Sequence, residues 1–154
     1  MKTIYSDEPP LPAMLPSIFL AGPTPRSKDV PSWRPEAIEI LKKLNYKHYV
    51  CIPEFKHGEQ IDYLTQVNWE KQCLHYCSQI VFWVPRNMEN MPALTTNCEF
   101  GFWMAKNPGK VYYGRPDHSV HNRYLDWLYE DIKKEKPFTE LSKLLEHVCL
   151  EEKL

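Results

Sequence analysis

In the segment LTTNCEFGFWMAKN, residues 94–107, two threonines and an asparagine precede a glutamate that opens an apolar, aromatic run. Two kinds of chemistry suit that spacing. Thr96 and Glu99 read as a T-x-x-E capping box, in which the threonine oxygen and the glutamate carboxylate satisfy free amides at a helix start. The same placement also suits reaction chemistry. A carboxylate near a helix N-terminus is held ionised by the dipole and the unpaired amides, which makes it a usable nucleophile. Asn97 likewise either caps the helix or offers its amide to a ligand.

Other polar residues pose the same choice. Arg26, Arg86 and Arg115 each carry a planar fork that grips a phosphate or carboxylate through two nitrogens. They can equally pair with Glu54, Glu89 or Asp117. Glu54, at the tip of a strand, and Glu70, on a helix, are either solvated acids or proton donors. Among the aromatic residues, Phe19 is the candidate pocket wall because it stands just before Gly22, whereas Trp69, Trp83, Phe100 and Trp103 have the spacing of core residues.

These residues need elements to position them. SIFLAG (17–22), HYVCIP (48–53), QIVFWVP (79–85) and KVYYG (110–114) read as buried strands. Helical periodicity falls between them. WRPEAIEILKKLN sets Trp33, Ala37, Ile40, Leu41 and Leu44 on one face, and helices follow over 63–77 and 97–107. NRYLDWLYEDIKKE and FTELSKLLEHVCLEE give two more, separated by Pro137. Alternating strands and helices predict an α/β sandwich with a mostly parallel sheet of four to five strands. In such a sheet, ligands bind beyond the carboxyl ends of the strands. The loops GPTPR (22–26), PEFKHGE (53–59), PRNMEN (85–90) and GRPDH (114–118) therefore share one edge. Gly22, Pro23, Arg26, Arg86, Arg115 and Asp117 come with them, and Glu99 joins them from the first turn of its helix.

With 154 residues and 43% hydrophobic content, one domain over 1–154 is expected, with 1–16 as a loose leader containing four prolines. A net charge of -1 gives no broad basic field for a nucleic acid polymer, so a small molecule is the expected partner. No apolar run reaches the roughly 20 residues of a membrane span. Five cysteines, four inside apolar stretches, read as reduced thiols in a cytoplasmic protein. Cys73 and Cys77 are not spaced as a CxxC pair, and no metal site is expected.

IFLAGPTPR, IPE, QVNWE, IVFWVPR, LTTNCEFGFW and VYYGRPD, in this order, resemble the nucleoside 2-deoxyribosyltransferase-like family, in particular its shorter bacterial and phage branch. The resemblance spans residues 17–128. It implies a flavodoxin-like or Rossmann-like fold and a glutamate of an E-x-G motif that attacks the anomeric carbon of a sugar. Here that glutamate is Glu99, with Gly101 as the motif glycine. Where the better-known members carry an aspartate near the start of the third strand, this chain has Gln79, which can hydrogen-bond a sugar hydroxyl but cannot transfer a proton. Where they carry an acid about six residues before the nucleophile, it has Ala93.

The resemblance implies cleavage or transfer at the N-glycosidic bond of a nucleoside or nucleoside 5'-monophosphate through a covalent glycosyl-glutamate. Asn97 and Gln79 would position the sugar, Glu54 or Glu70 would supply the acid, and an arginine would hold the anionic end. No cofactor is required, and a homo-oligomer is implied. Cleavage of a dinucleotide such as NAD, and nucleotide binding without catalysis, are the alternatives.

Overall fold

The structure, a computed structural model, describes residues 1–57 and 61–151. Five strands form one parallel sheet: β1 (Lys2–Tyr5), β2 (Leu15–Ala21), β3 (Tyr49–Ile52), β4 (Cys77–Trp83) and β5 (Val111–Gly114), in the spatial order β1-β3-β2-β4-β5. Among the described residues, five α-helices accompany it: α1 (Arg34–Lys43), α2 (Tyr63–Tyr76), α3 (Leu94–Lys106), α4 (Arg123–Lys133) and α5 (Leu141–Glu151).

The central strands are apolar runs because both of their faces are covered. Successive side chains of a strand point to opposite faces, which divides β2 cleanly. Phe19 and Ala21 pack with Trp69 and Cys73 of α2, Phe100 and Trp103 of α3, and Tyr129 of α4. Ile18 and Leu20 pack with Ala37 and Leu41 of α1 and with Leu144 and Val148 of α5. Three layers result, a single-domain flavodoxin-like arrangement with a mixed aromatic and aliphatic core on each side.

α1 follows the expected face: Trp33, Ala37 and Leu41 are buried, with Ile40 and Leu44 packed against the same cluster. Pro35 in its first turn supplies a preset φ and needs no hydrogen-bond donor there. All five cysteines are free, four of them buried, with only Cys98 exposed. Among the described residues, no helix is long and apolar enough to cross a membrane.

Residues 1–16 are not the expected loose leader. Lys2–Tyr5 pairs in register with β3 as an edge strand. The following segment crosses α2, where Leu11 is fully buried and Trp69 Nε1 donates to the Glu8 carbonyl at 3.0 Å. Four prolines suppress any local helical or strand pattern here. The order comes instead from partners about fifty residues away, which a local reading does not register.

Topology then positions a crevice. β3 lies on one side of β2 and β4 on the other, so the chain leaves the carboxyl ends of β2 and β4 in diverging directions. That is the switch point at which open parallel sheets bind ligands.

Candidate active site

A cavity of about 340 Å³ occupies this crevice. Phe19 and Ala21 of β2 contribute to its lining, as do Gly22, Pro23 and Arg26 of the loop after β2. Gly22 has a φ of +147°, and a Cβ there would lie 2.1 Å from the Trp83 carbonyl oxygen. Only glycine permits the two diverging chains to start so close together.

The opposite wall is the start of α3. This helix begins at Leu94, three residues earlier than its periodicity suggested, with Ala93 as N-cap in the left-handed region (φ 58°, ψ 38°) and no capping side chain. The T-x-x-E capping box is therefore not formed. Thr96 lies in the first turn and Glu99 in the second, one turn further from the end than expected. A left-handed alanine costs roughly 1 kcal/mol, a strain located at the cavity wall, since Ala93, Thr95 and Thr96 all line it. The first-turn amides have no intrahelical partner.

Glu99 lines the same cavity. It is not held ionised, as its placement near a helix start suggested. Burial, reinforced by the neighbouring charge of Glu70, pushes its carboxyl up to about 7, against an opposing pull from Arg34. Glu70 projects from α2 into the cavity, and burial raises its carboxyl too, opposed by a hydrogen bond from Gln66 Nε2 at 3.0 Å and by Arg34. Neither glutamate forms an ion pair among the described residues.

Arg34 was not legible as a site residue. It opens α1 at the same sheet edge and is 1% exposed. Nε donates to the Leu20 carbonyl at 3.1 Å and Nη2 to the Gly22 carbonyl at 2.8 Å. Nη1 donates to Thr24 Oγ1 at 3.1 Å and to Glu54 Oε1 at 2.6 Å. A helix that follows a loop of the binding edge starts at that edge, so its first residue was the available signal. Tyr63 and Gln66, on the α2 side of the cavity, were missed for the same reason.

Several expected site residues are engaged elsewhere. Glu54 is paired with Arg34 and accepts the Ser32 hydroxyl at 2.6 Å, so its carboxylate has partners and does not line the cavity. Gln79 sits low on β4, buried, with Nε2 donating to the Val148 carbonyl of α5 at 3.0 Å. It belongs to the packing of α5 and does not reach the cavity. Arg86 is buried and donates through Nη2 to Asn97 Oδ1, tying the segment after β4 to α3, so both residues serve that link outside the cavity. Arg115 donates through Nε to Asp126 Oδ1 at 3.2 Å and Oδ2 at 3.1 Å and through Nη2 to Oδ2 at 2.8 Å, and Asp117 is exposed outside the cavity. Arg26 is thus the only arginine of the three in the cavity lining. Residues 58 and 59 of the loop after β3 lie outside the described residues.

Two carboxyl groups thus face one crevice, beside a helix start without a capping side chain. Residues 15–117 match the nucleoside 2-deoxyribosyltransferase-like family. The chain belongs to that family. No curated protein matches the sequence. Membership supports a role in glycosyl transfer, and the matched region contains both walls of the cavity together with Glu70 and Glu99. Among the described residues, no group of three or more histidine, cysteine, aspartate or glutamate side chains is placed to hold a metal ion.

Proposed function

We propose that the protein cleaves or transfers the N-glycosidic bond of a nucleoside or nucleoside 5'-monophosphate, with Glu99 as nucleophile and Glu70 as acid. The observation that carries this reading is the pair itself: two glutamates, neither in a direct ion pair among the described residues, line one cavity, and each has its carboxyl raised by burial. Such a pair favours one proton and one negative charge; because the charge of Glu70 adds to the upward push on Glu99 in the ligand-free site, the roles assigned here require the proton to pass from Glu99 to Glu70 before attack.

The Glu99 carboxylate attacks the anomeric carbon as the bond to the base breaks, and the departing ring nitrogen takes the proton of Glu70. The sugar is then an ester of Glu99. Water or a second base attacks the same carbon, the ester bond breaks, and Glu70 recovers the proton from the incoming group. Arg26 and the free amides at the start of α3 suit an anionic end of the substrate. Phe19, Tyr63 and Val67 give the base apolar walls.

A homo-oligomer in the cytoplasm is part of this reading. Tyr63 and Leu94, both on the cavity lining, are 77% and 61% exposed, and a second copy would cover them. A binding module without catalysis is favoured by the departures from the family pattern, Gln79 in place of the aspartate and Ala93 in place of the second acid. Base release from nucleosides, 2'-deoxynucleosides, their 5'-monophosphates and NAD, with and without an acceptor base, separates the readings. Release that Glu99→Gln abolishes is the expected result. Binding of a donor without release, at an affinity unchanged by Glu99→Ala, would leave the binding module.

A further inference from the structure

We propose that Arg34 is the positioning residue of this site: its buried guanidinium fixes the wall formed by residues 20–24 and supplies the positive charge that balances Glu70 and Glu99. The proposal rests on the reading of those two glutamates as the reacting pair.

The geometric part follows from the fork. Its three nitrogens reach the carbonyls of Leu20 and Gly22, the hydroxyl of Thr24 and the carboxylate of Glu54, at 2.6–3.1 Å. Gly22 and Thr24 line the cavity, so the shape of that wall is set by one side chain. The plane of the fork is also held near the Trp33 ring, 4.9 Å from its centroid. A lysine has one nitrogen and cannot satisfy acceptors in four directions from a planar fork.

The electrostatic part follows from the charge census. Arg34 comes from α1, Glu54 from the end of β3, Glu70 from α2, Glu99 from α3, and Arg26 lies on the loop after β2. Glu54 is the direct partner at 2.6 Å, and Glu70 and Glu99 both act on the guanidinium through space. In return Arg34 opposes the upward push of burial on both glutamates. A buried cation acts in this way with little screening by salt, because water does not reach it. Burial without catalytic use is an expensive arrangement for a guanidinium, since removing its charge from water must be offset by every bond it makes.

The test is titration of the glutamate carboxyl carbons by NMR in the ligand-free protein, for wild type, Arg34→Met, Arg34→Lys and Glu54→Gln. Arg34→Met removes the cation, and the Glu99 midpoint is expected to rise by roughly one pH unit. Glu54→Gln removes the competing anion and leaves the cation to the pair, so the same midpoint is expected to fall. Arg34→Lys keeps the charge and loses the fork. Its midpoint stays near the wild-type value, while KM rises and kcat/KM falls roughly tenfold or more through displacement of the wall. A structural clamp alone would leave the Glu99 midpoint unchanged in Arg34→Met, and that result overturns the proposal. If Arg34→Met does not fold, Arg34→Gln, which removes the charge and keeps hydrogen-bonding groups, is titrated in its place, with the same rise expected. The titration does not depend on turnover. A wild type that releases no base therefore refutes the proposed function while the role of Arg34 is judged separately.

Discussion

Beyond the ends of β4 and β5, Arg115 holds Asp126 through two nitrogens, Tyr113 donates to the same carboxylate at 2.9 Å, and Arg86 is bonded to Asn97. Beyond the ends of β2 and β4, along the same edge of the sheet, Glu99 and Glu70 face a cavity without an ion-pair partner among the described residues. Both regions hold arginines and acids supplied by strand-end loops and helix starts. What differs is connectivity. β4 and β5 are consecutive strands, and α3 with the segment after β5 fills the space between their ends. β2 and β4 are adjacent in the sheet but separated in sequence by β3, so their loops part and leave the space open. Charges in the filled region stabilise the fold, and charges in the open one remain available to a ligand.

The contrast is broken or sharpened by substitution on each side. The largest effect is expected from Glu99→Gln, which should reduce base release by at least about a thousandfold without loss of folding, as read by chromatography and circular dichroism. Glu70→Gln removes the proton donor and should cost about a hundredfold, with the smallest loss for donors whose base departs readily, measured as kcat across a series of leaving bases. Arg26→Ala should raise KM for a 5'-monophosphate about tenfold and leave the corresponding nucleoside nearly unaffected. Arg115→Ala, in the filled region, should instead leave KM unchanged and lower unfolding stability by roughly 1–2 kcal/mol in urea denaturation. A KM effect for Arg115 equal to that for Arg26 would remove the distinction between the two regions.

The remaining effect is on stability against pH. Glu99 has its carboxyl raised from the ordinary 4.5 to about 7, so between those values the folded protein holds a proton that the unfolded chain has lost. Stability from this group is therefore fully present below about 4.5 and is lost as pH rises through about 7, by an amount on the order of 3 kcal/mol. Glu99→Gln escapes that loss. Its thermal midpoint should exceed that of wild type by a few degrees at pH 8 and converge with it near pH 4.

The four strands after residue 14 and all five helices were legible because each is a local pattern: an apolar run, or a 3.6-residue period. β1 was not legible, since its strand partner is the distant β3 and a proline-rich segment follows it. The start of α3 was misplaced for a related reason. Leu94 is 61% exposed and Ala93 left-handed, so neither the apolar pattern nor a capping residue marks the end. Parallel topology placed Gly22, Pro23, Arg26 and Glu99 at one edge of the sheet, and these line the cavity, as do Phe19, Glu70 and Thr96. It could not say which charged groups at that edge would pair with one another. Glu54 was taken by Arg34, Arg115 by Asp126 and Gln79 by the backbone of α5, through contacts that only the packed helices create.

The most direct test of the account is the mass of the protein after brief incubation with a donor and no acceptor base, followed by peptide mapping. The account predicts an added glycosyl mass on the peptide that contains Glu99, present in wild type, increased in Glu70→Gln with a donor whose base departs readily, since only the second step then needs Glu70, and absent in Glu99→Gln. Base release that continues undiminished in Glu99→Gln, with no glycosyl adduct on any peptide, would contradict it.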